Sequence, residues 1–181
     1  MKPKMTGHEY KDTFLFHHAA KAGKHGKPII ITKFRTMKRG SHATFPDEFA
    51  RGKSTKMQRL QSGQADKRIT RFGRFLRKTN LDELPQLMNY AKRELALVGI
   101  RPATKREYDA FPADIRAIYD EVGPALAGIQ YSCKQNAPTH EEIHNQYREF
   151  YKMWKKNKAK ANFTYVMKIV LNRLRGRGWS A

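Results

Sequence analysis

The apolar positions of the chain fall into two different rhythms. β-Branched and aromatic residues cluster in two short runs, Thr13 to His18 (TFLFHH) and Pro28 to Thr36 (PIIITKFRT), with a basic, Gly-containing stretch, Ala22 to Lys27, between them. Runs of this kind on either side of such a turn predict a β-hairpin. Residues 1–12 are polar and predict a loose leading segment, so that one domain would occupy 13–181. Met37 to Gly63 is polar with scattered Gly, Pro and Ser, which predicts loop with a short helix from Asp47.

From Arg68 the period lengthens to that of a helix. Ile69, Phe72, Phe75 and Leu76 recur every three to four residues, and Arg68, Arg71, Arg74 and Lys78 take the other faces. Pro85 places the next helix start at Asp82, because proline is tolerated only in the first turn, where its missing N–H breaks no bond. With Asn80 as cap instead, Asn80 and Glu83 would form a variant capping box. A helical pattern returns over Ala103 to Glu121, broken at Pro112, and Gly123 to Gln130 reads as a turn-rich apolar connection. Two amphipathic helices follow within 142–181. Ile143, Tyr147, Phe150, Tyr151 and Trp154 share one face of the first. Phe163, Val166, Met167, Val170, Leu171 and Leu174 mark the second, which ends at Gly176 and Gly178. The expected fold is α+β: a compact, mostly helical domain with a small N-terminal β-hairpin.

Charge changes this picture. The 181 residues hold 37 Lys+Arg against 16 Asp+Glu, a formal net charge of +21. A field of that sign attracts polyanions, whether nucleic acid, phosphorylated substrates or an anionic membrane surface. Lys155, Lys156, Lys158 and Lys160 lie between the last two apolar stripes, which read as packed core or as a surface that snorkels onto anionic headgroups. The single cysteine, Cys133, excludes an internal disulfide and a paired-cysteine zinc site. No uncharged apolar run approaches the roughly 18 residues of a spanning helix.

Several catalytic signatures fail on inspection. His140 to His144 reads H-E-E-I-H, the zinc-protease spacing, but the extended form would put its third ligand at Phe150 and its glycine at Tyr147. After Glu149 the sequence has no Asp, Glu, His or Cys to serve instead. Phosphate-binding glycine loops and the G-x-S-x-G elbow are also absent. What remains is the adjacent pair Asp82-Glu83 among cations. A carboxylate can attack phosphorus. Attack on an anionic phosphate needs that repulsion neutralised by Arg, Lys and Mg²⁺. One carboxylate would attack and the other would help hold the hard divalent ion, with Lys33, Arg35, Arg68 and Arg101 as candidate phosphate ligands. Arg suits bidentate phosphate contact.

At these residues the chain resembles the bacterial sugar transferases, the monotopic polyprenol-phosphate phosphoglycosyl transferases. The matching pieces are KPIIITKFRTM (27–37), DKRITRFGRFLRKTNLDELPQL (66–87), ELALVGIRPA (94–103) and LRGRG (174–178). The resemblance implies a two-step reaction at the cytoplasmic face of the bacterial inner membrane. An aspartate attacks the β-phosphate of a UDP-sugar, UMP leaves, and polyprenol phosphate then takes the phosphosugar from the enzyme, with Mg²⁺ assisting. Carried over, Asp82 is the nucleophile and Glu83 its Mg²⁺-associated partner. Lys33, Arg35, Arg68 and Arg101 serve phosphate, and Pro85 and Pro102 shape the site.

The sequence departs from the family pattern in three places. No hydrophobic re-entrant helix precedes the hairpin, which implies peripheral binding, a partner chain that supplies the anchor, or a longer natural chain. The family's Pro-Gly-Ile/Leu-Thr-Gly stretch reads Pro124-Ala125-Leu126-Ala127-Gly128, and Arg148 stands three before Tyr151 where the family often has Asp. The rival readings are a catalytically degenerate relative that binds membrane or a partner enzyme, and a basic nucleic-acid-binding protein. The last has only charge in its favour, and no nucleic-acid partner is expected.

Overall fold

The computed structural model describes residues 10–38, 68–133 and 138–175. The hairpin is present and is larger than expected. β2 (Phe16–Ala22) and β3 (Pro28–Phe34) pair antiparallel with Ala19 opposite Ile31. A further strand, β1 (Tyr10–Asp12), adds to the outer edge of β2, so part of the segment expected to be loose belongs to a three-stranded sheet. Thr13 makes the corner. Its N–H donates to the Phe16 carbonyl at 2.8 Å and its hydroxyl accepts from the Phe16 N–H at 3.0 Å. The expected first strand therefore slides three residues toward the C-terminus, leaving Phe14 and Leu15 exposed in the turn. The helix expected from Asp47 lies outside the described residues.

α1 (Arg71–Thr79) starts later than its periodicity suggests, because Ile69 pairs with Met37 in an isolated bridge and Thr70 caps the helix, accepting from the Gly73 N–H at 2.9 Å. Asn80 ends it in the left-handed conformation, φ 55°. A 3₁₀ helix over Leu81–Gln86 then leads into α2 (Leu87–Ala91). Here the sequence expectation fails. Asp82 is inside the 3₁₀ helix instead of capping an α-helix, and Asn80, at the capping position, makes no side-chain cap either. A 3₁₀ turn closes on i→i+3 bonds, so it suits a short segment interrupted by Pro85.

Two short parallel strands, β4 (Ala96–Gly99) and β5 (Ala125–Gly128), form a second sheet that the sequence pattern did not disclose. Val98, Ala125 and Gly128 are buried while Leu97 is 42% exposed, and four-residue strands that read ALVG and ALAG carry no polar residue whose alternation would betray them. Between them run α3 (Lys105–Asp109) and α4 (Ala113–Val122) on either side of Pro112, as expected. α5 (His140–Lys156) and α6 (Lys158–Leu174) complete the fold. The core gathers Val98, Ile100, Ile115, Tyr119, Ile129, Phe150 and Tyr165.

The stripe on α5 packs into this core, with Phe150 fully buried. Of the stripe on α6 only Val166 packs against the core; the buried positions of that helix are Ala161, Tyr165, Ile169 and Asn172, while Phe163, Met167, Val170, Leu171 and Leu174 are exposed. Of the intervening lysines, Lys155 pairs with Glu121 at 2.8 Å and Lys158 lies over the Trp154 ring, 4.5 Å from its centroid.

Candidate functional site

The site forms where β3 lies against the 3₁₀ helix. Strand alternation puts Lys33 on the same face as Ile31, which is buried, and that face also carries Ala19 and Lys21 of β2 across the register. Lys33 Nζ forms an ion pair with Glu83. The neighbouring Asp82 is only 9% exposed. Burial pushes its carboxyl above the ordinary range, and the Glu83 charge adds to this. Lys33 and Arg77 pull the other way without cancelling it.

Arg77 reaches the site through a close fit between α1 and the end of the hairpin. Gly73 packs on the Thr36 carbonyl, which accepts from the Thr70 N–H at 3.0 Å and from its hydroxyl at 3.3 Å. One turn on, Arg77 Nε donates to the Thr36 hydroxyl at 2.8 Å. Thr36 is itself buried.

A second charged group adjoins the first. Arg101 follows β4, and the chain just beyond it is held to the end of β2: Ala22 N–H donates to the Ala103 carbonyl at 2.8 Å. The buried Tyr119 hydroxyl donates to the Ala22 carbonyl at 2.5 Å and accepts from the Ala103 N–H at 3.2 Å. This clamp keeps Lys21 beside Arg101. Burial, Arg101 and Lys33 bring the Lys21 ammonium down to about 8, although Glu107 opposes them. Burial also works against the charge on Glu107. The Thr104 N–H, which donates to its carboxylate at 2.6 Å, together with Arg101 and Lys21 outweighs burial and holds the carboxyl below its ordinary range. Arg101 stays charged despite burial, because Tyr131, Glu107, Tyr147 and Glu83 favour its cationic form. The residue nevertheless keeps solvent-exposed surface. Glu83 acts on both Asp82 and Arg101, and Lys33 on both Asp82 and Lys21, so the two groups form one cluster.

Of the residues named from sequence, Asp82, Glu83, Lys33 and Arg101 come together. Pro85 lies within the 3₁₀ helix, and Pro102, half-buried, sits between Arg101 and the clamped Ala103. Arg35 is turned elsewhere: its Nη1 donates to the Thr13 carbonyl at 3.1 Å and its guanidinium lies over the Phe14 ring. Arg68 stands at the bridge beside Ile69, its carbonyl accepting from the Lys38 N–H at 2.9 Å. The charges that act most strongly on Asp82 are Lys33, Glu83 and Arg77. Sequence reasoning missed Lys21, Arg77, Thr36 and Glu107. Lys21 was not within reach, since alternation can be counted along each strand but which β2 positions share the face of Lys33 depends on the pairing register. Thr104-x-x-Glu107 is by contrast a legible capping box, present in the structure.

The H-E-E-I-H run lies at the start of α5. His144 packs edge-on to Phe111, ring centroids 6.3 Å apart, and burial and His140 lower its imidazole. No group of three metal-ligating side chains occurs among the described residues. Arg148 pairs with Asp114 at 2.6 Å. No helix of the described residues is long and apolar enough to cross a membrane.

Comparison with known proteins identifies the family. A profile described as "Bacterial sugar transferase" matches residues 8–173. The chain is 38% identical over 114 residues to an undecaprenyl-phosphate galactose phosphotransferase of Salmonella typhimurium, 60% of this chain and 23% of that protein. It is 34% identical over 159 residues to an uncharacterized sugar transferase of Haemophilus influenzae, 83% of this chain and 32% of the relative. To a UDP-galactose-lipid carrier transferase of Erwinia amylovora it is 33% identical over 126 residues, 67% of this chain and 26% of the relative. The chain thus spans at most a third of the length of these three relatives. With a family profile matched over nearly its whole length and the Asp82-Glu83 pair set among Lys33, Arg77 and Arg101, the chain belongs to the bacterial sugar transferase family.

Proposed function

We propose that the chain carries out phosphoglycosyl transfer from a UDP-sugar to polyprenol phosphate, through a covalent aspartyl-phosphosugar, as the initiating step of glycan synthesis. In the first half-reaction an Asp82 oxygen attacks the β-phosphorus. A carboxyl-phosphate P–O bond forms, the bridging P–O bond breaks, and UMP leaves with the bridging oxygen. In the second, a phosphate oxygen of the polyprenol phosphate attacks the same phosphorus. A new diphosphate forms and the Asp82 carboxylate is released, so no oxidant or reductant is needed.

The observation that carries this reading is the setting of Asp82: a buried carboxylate held between Lys33 and Arg77 and next to a second charged group centred on Arg101. Poor solvation makes the carboxylate a stronger nucleophile, and fixed cations offset the repulsion between it and a diphosphate. Lys33 and Arg77 are the cations that act most strongly on Asp82 and would offset charge at the attacked phosphate. Arg101 and Lys21 would meet the donor's remaining phosphate charge. Asp82 and Glu83 are adjacent hard oxygen donors, which suits Mg²⁺, an ion that is usually held by one or two carboxylates with substrate phosphates and water making up the shell. When bound it would neutralise diphosphate charge. The names of the relatives, which include an undecaprenyl-phosphate phosphotransferase and a UDP-galactose-lipid carrier transferase, support these substrate classes. The acceptor is a lipid, so the chain would work at a membrane surface, the cytoplasmic face of the inner membrane.

The experiment is intact-mass measurement and UMP assay with Mg²⁺, detergent and a panel of UDP-sugars. The expected result is a phosphosugar adduct with release of UMP, both lost in Asp82→Asn. Absence of adduct and of UMP with every donor overturns the reading.

A further inference from the structure

Strand alternation puts the two consecutive histidines of β2 to different uses. His18 lies on the face of Phe16 and Phe34, where its Nδ1 and the Thr32 hydroxyl share a hydrogen bond of 2.9 Å. His17 takes the opposite face, the one that carries Lys33, Ile31, Ala19 and Lys21. It stands directly across the register from Lys33, and side chains opposed in this way have Cβ atoms about 5 Å apart. Lys33 in turn pairs with Glu83 and acts on Asp82. The half-buried imidazole therefore borders the carboxylate cluster.

The polar groups of this face lie at its two ends, with buried Ala19 and Ile31 between them. At one end is Lys21, next to Ala22 and the clamp that holds the chain just beyond Arg101. At the other, His17 is level with Lys33, and Arg77 is held there through Thr36, just past the end of β3. The four strand residues from Lys21 to His17 span about 13 Å at about 3.3 Å each. The nucleophile belongs to the His17 end, because Lys33 and Arg77 are the cations that act most strongly on Asp82.

This polarity orients the donor. On the proposed function, the β-phosphate meets Asp82 at the His17 end, and the UMP portion extends toward Lys21 and Arg101. The other large substituent on the β-phosphorus is the sugar. It cannot share the side taken by UMP, so its ring falls beside Lys33 and His17. A sugar ring is uncharged, and its hydroxyls must both donate and accept. Lys33 and Arg77 only donate, and ionised carboxylates only accept, whereas a neutral imidazole does both.

We propose that His17 is a specificity-determining residue, hydrogen-bonding hydroxyls of the donor's hexose ring and so setting which UDP-sugar is used. This rests on the proposed function for the identity of the donor.

The test compares His17→Phe and His17→Gln with the wild type. It measures kcat/KM over UDP-glucose, UDP-galactose and their N-acetyl counterparts, and calorimetric affinity for the same donors, for UDP and for UMP. His17→Phe should lower kcat/KM about tenfold for the preferred donor and much less for the others, so that the order of donors flattens. UDP and UMP lack the ring and should bind as they do to the wild type. His17→Gln keeps a donor and an acceptor and should recover most of the preference. An unchanged preference, an equal fall for every donor, or a parallel loss of UDP affinity overturns the proposal. So does a defect confined to the second half-reaction, with the adduct formed at wild-type selectivity. A wild type that forms no adduct refutes the transfer chemistry, and His17 is then judged by binding. UDP-sugar affinity lost in His17→Phe with UDP affinity kept supports the sugar contact. Equal UDP-sugar affinity in the two proteins, or no UDP-sugar binding to the wild type, overturns it.

Discussion

A side chain at position 73 would collide with Thr36: a Cβ built on Gly73 stands 2.1 Å from the Thr36 carbonyl oxygen. That oxygen accepts two bonds from Thr70, and the Thr36 hydroxyl orients Arg77. The end of the hairpin and the first turn of α1 are therefore locked by one contact that only glycine permits.

Gly73→Ala should destabilise the fold by about 3 kcal/mol, since backbone must move to admit the methyl group. Chemical denaturation measures it. Adduct formation should fall further than the folded fraction does, because Arg77 moves with the helix. Equal stability in the two proteins would contradict the contact.

Asp82 is predicted to weaken the apo fold at neutral pH. Its folded-state pKa is raised above the free value of 3.8. Between the two values the folded chain binds more protons, so stability falls as pH rises through that window, and the penalty is fully present above it. In metal-free buffer Asp82→Asn should melt higher than the wild type at pH 7, with the difference closing below about pH 4. A variant that is inactive and also less stable at pH 7 would show that the carboxylate is held by its cations and not strained by burial.

Lys21 gives the mirror case. Its ammonium titrates at about 8 in the fold, against 10.5 for the free side chain. The folded chain binds fewer protons across that interval, so this group's contribution to stability improves as pH rises through it and the penalty is complete below about 8. Lys21→Met should therefore be the more stable protein at pH 7, with the gap shrinking toward pH 10.5. The same variant should bind the UDP-sugar donor more weakly, read as a raised KM.

Tyr119→Phe removes the hydroxyl that bridges Ala22 and Ala103 and leaves a buried carbonyl without that donor. The expected loss is about 1–3 kcal/mol in urea unfolding. Because the clamp sets Lys21 beside Arg101, donor affinity should fall with it while the rate of adduct formation at saturating donor changes little.

The residues of the candidate site were legible where their types are unusual for their place. An adjacent Asp82-Glu83 beside a cationic helix, a lysine alternating with isoleucines along a strand, and an arginine at a Gly-x-Arg-Pro turn all announce a charged, partly buried site. The hairpin and α3 to α6 followed from period and from breakers such as Pro112. Four things needed the tertiary structure. The register of β2 brought Lys21 across from the Lys33 strand, because a pairing offset cannot be read from either strand alone. The parallel β4–β5 sheet was hidden because two four-residue strands, ALVG and ALAG, have no polar position to alternate with and pair only across the intervening helices.

The 3₁₀ helix displaced Asp82 from the cap assigned to it. Pro85 constrains where an α-helix can begin but does not forbid a tighter turn that starts earlier. Most of all, the orientation of the apolar residues was undecided by their spacing. Phe72, Phe75, Leu84, Leu87 and Met88 have the composition of a core, and periodicity states only which residues share a face. Which face turns inward depends on what the rest of the chain offers it. Here the hairpin offers the lysines of β2 and β3, so the acid turns in and the hydrophobic side turns out.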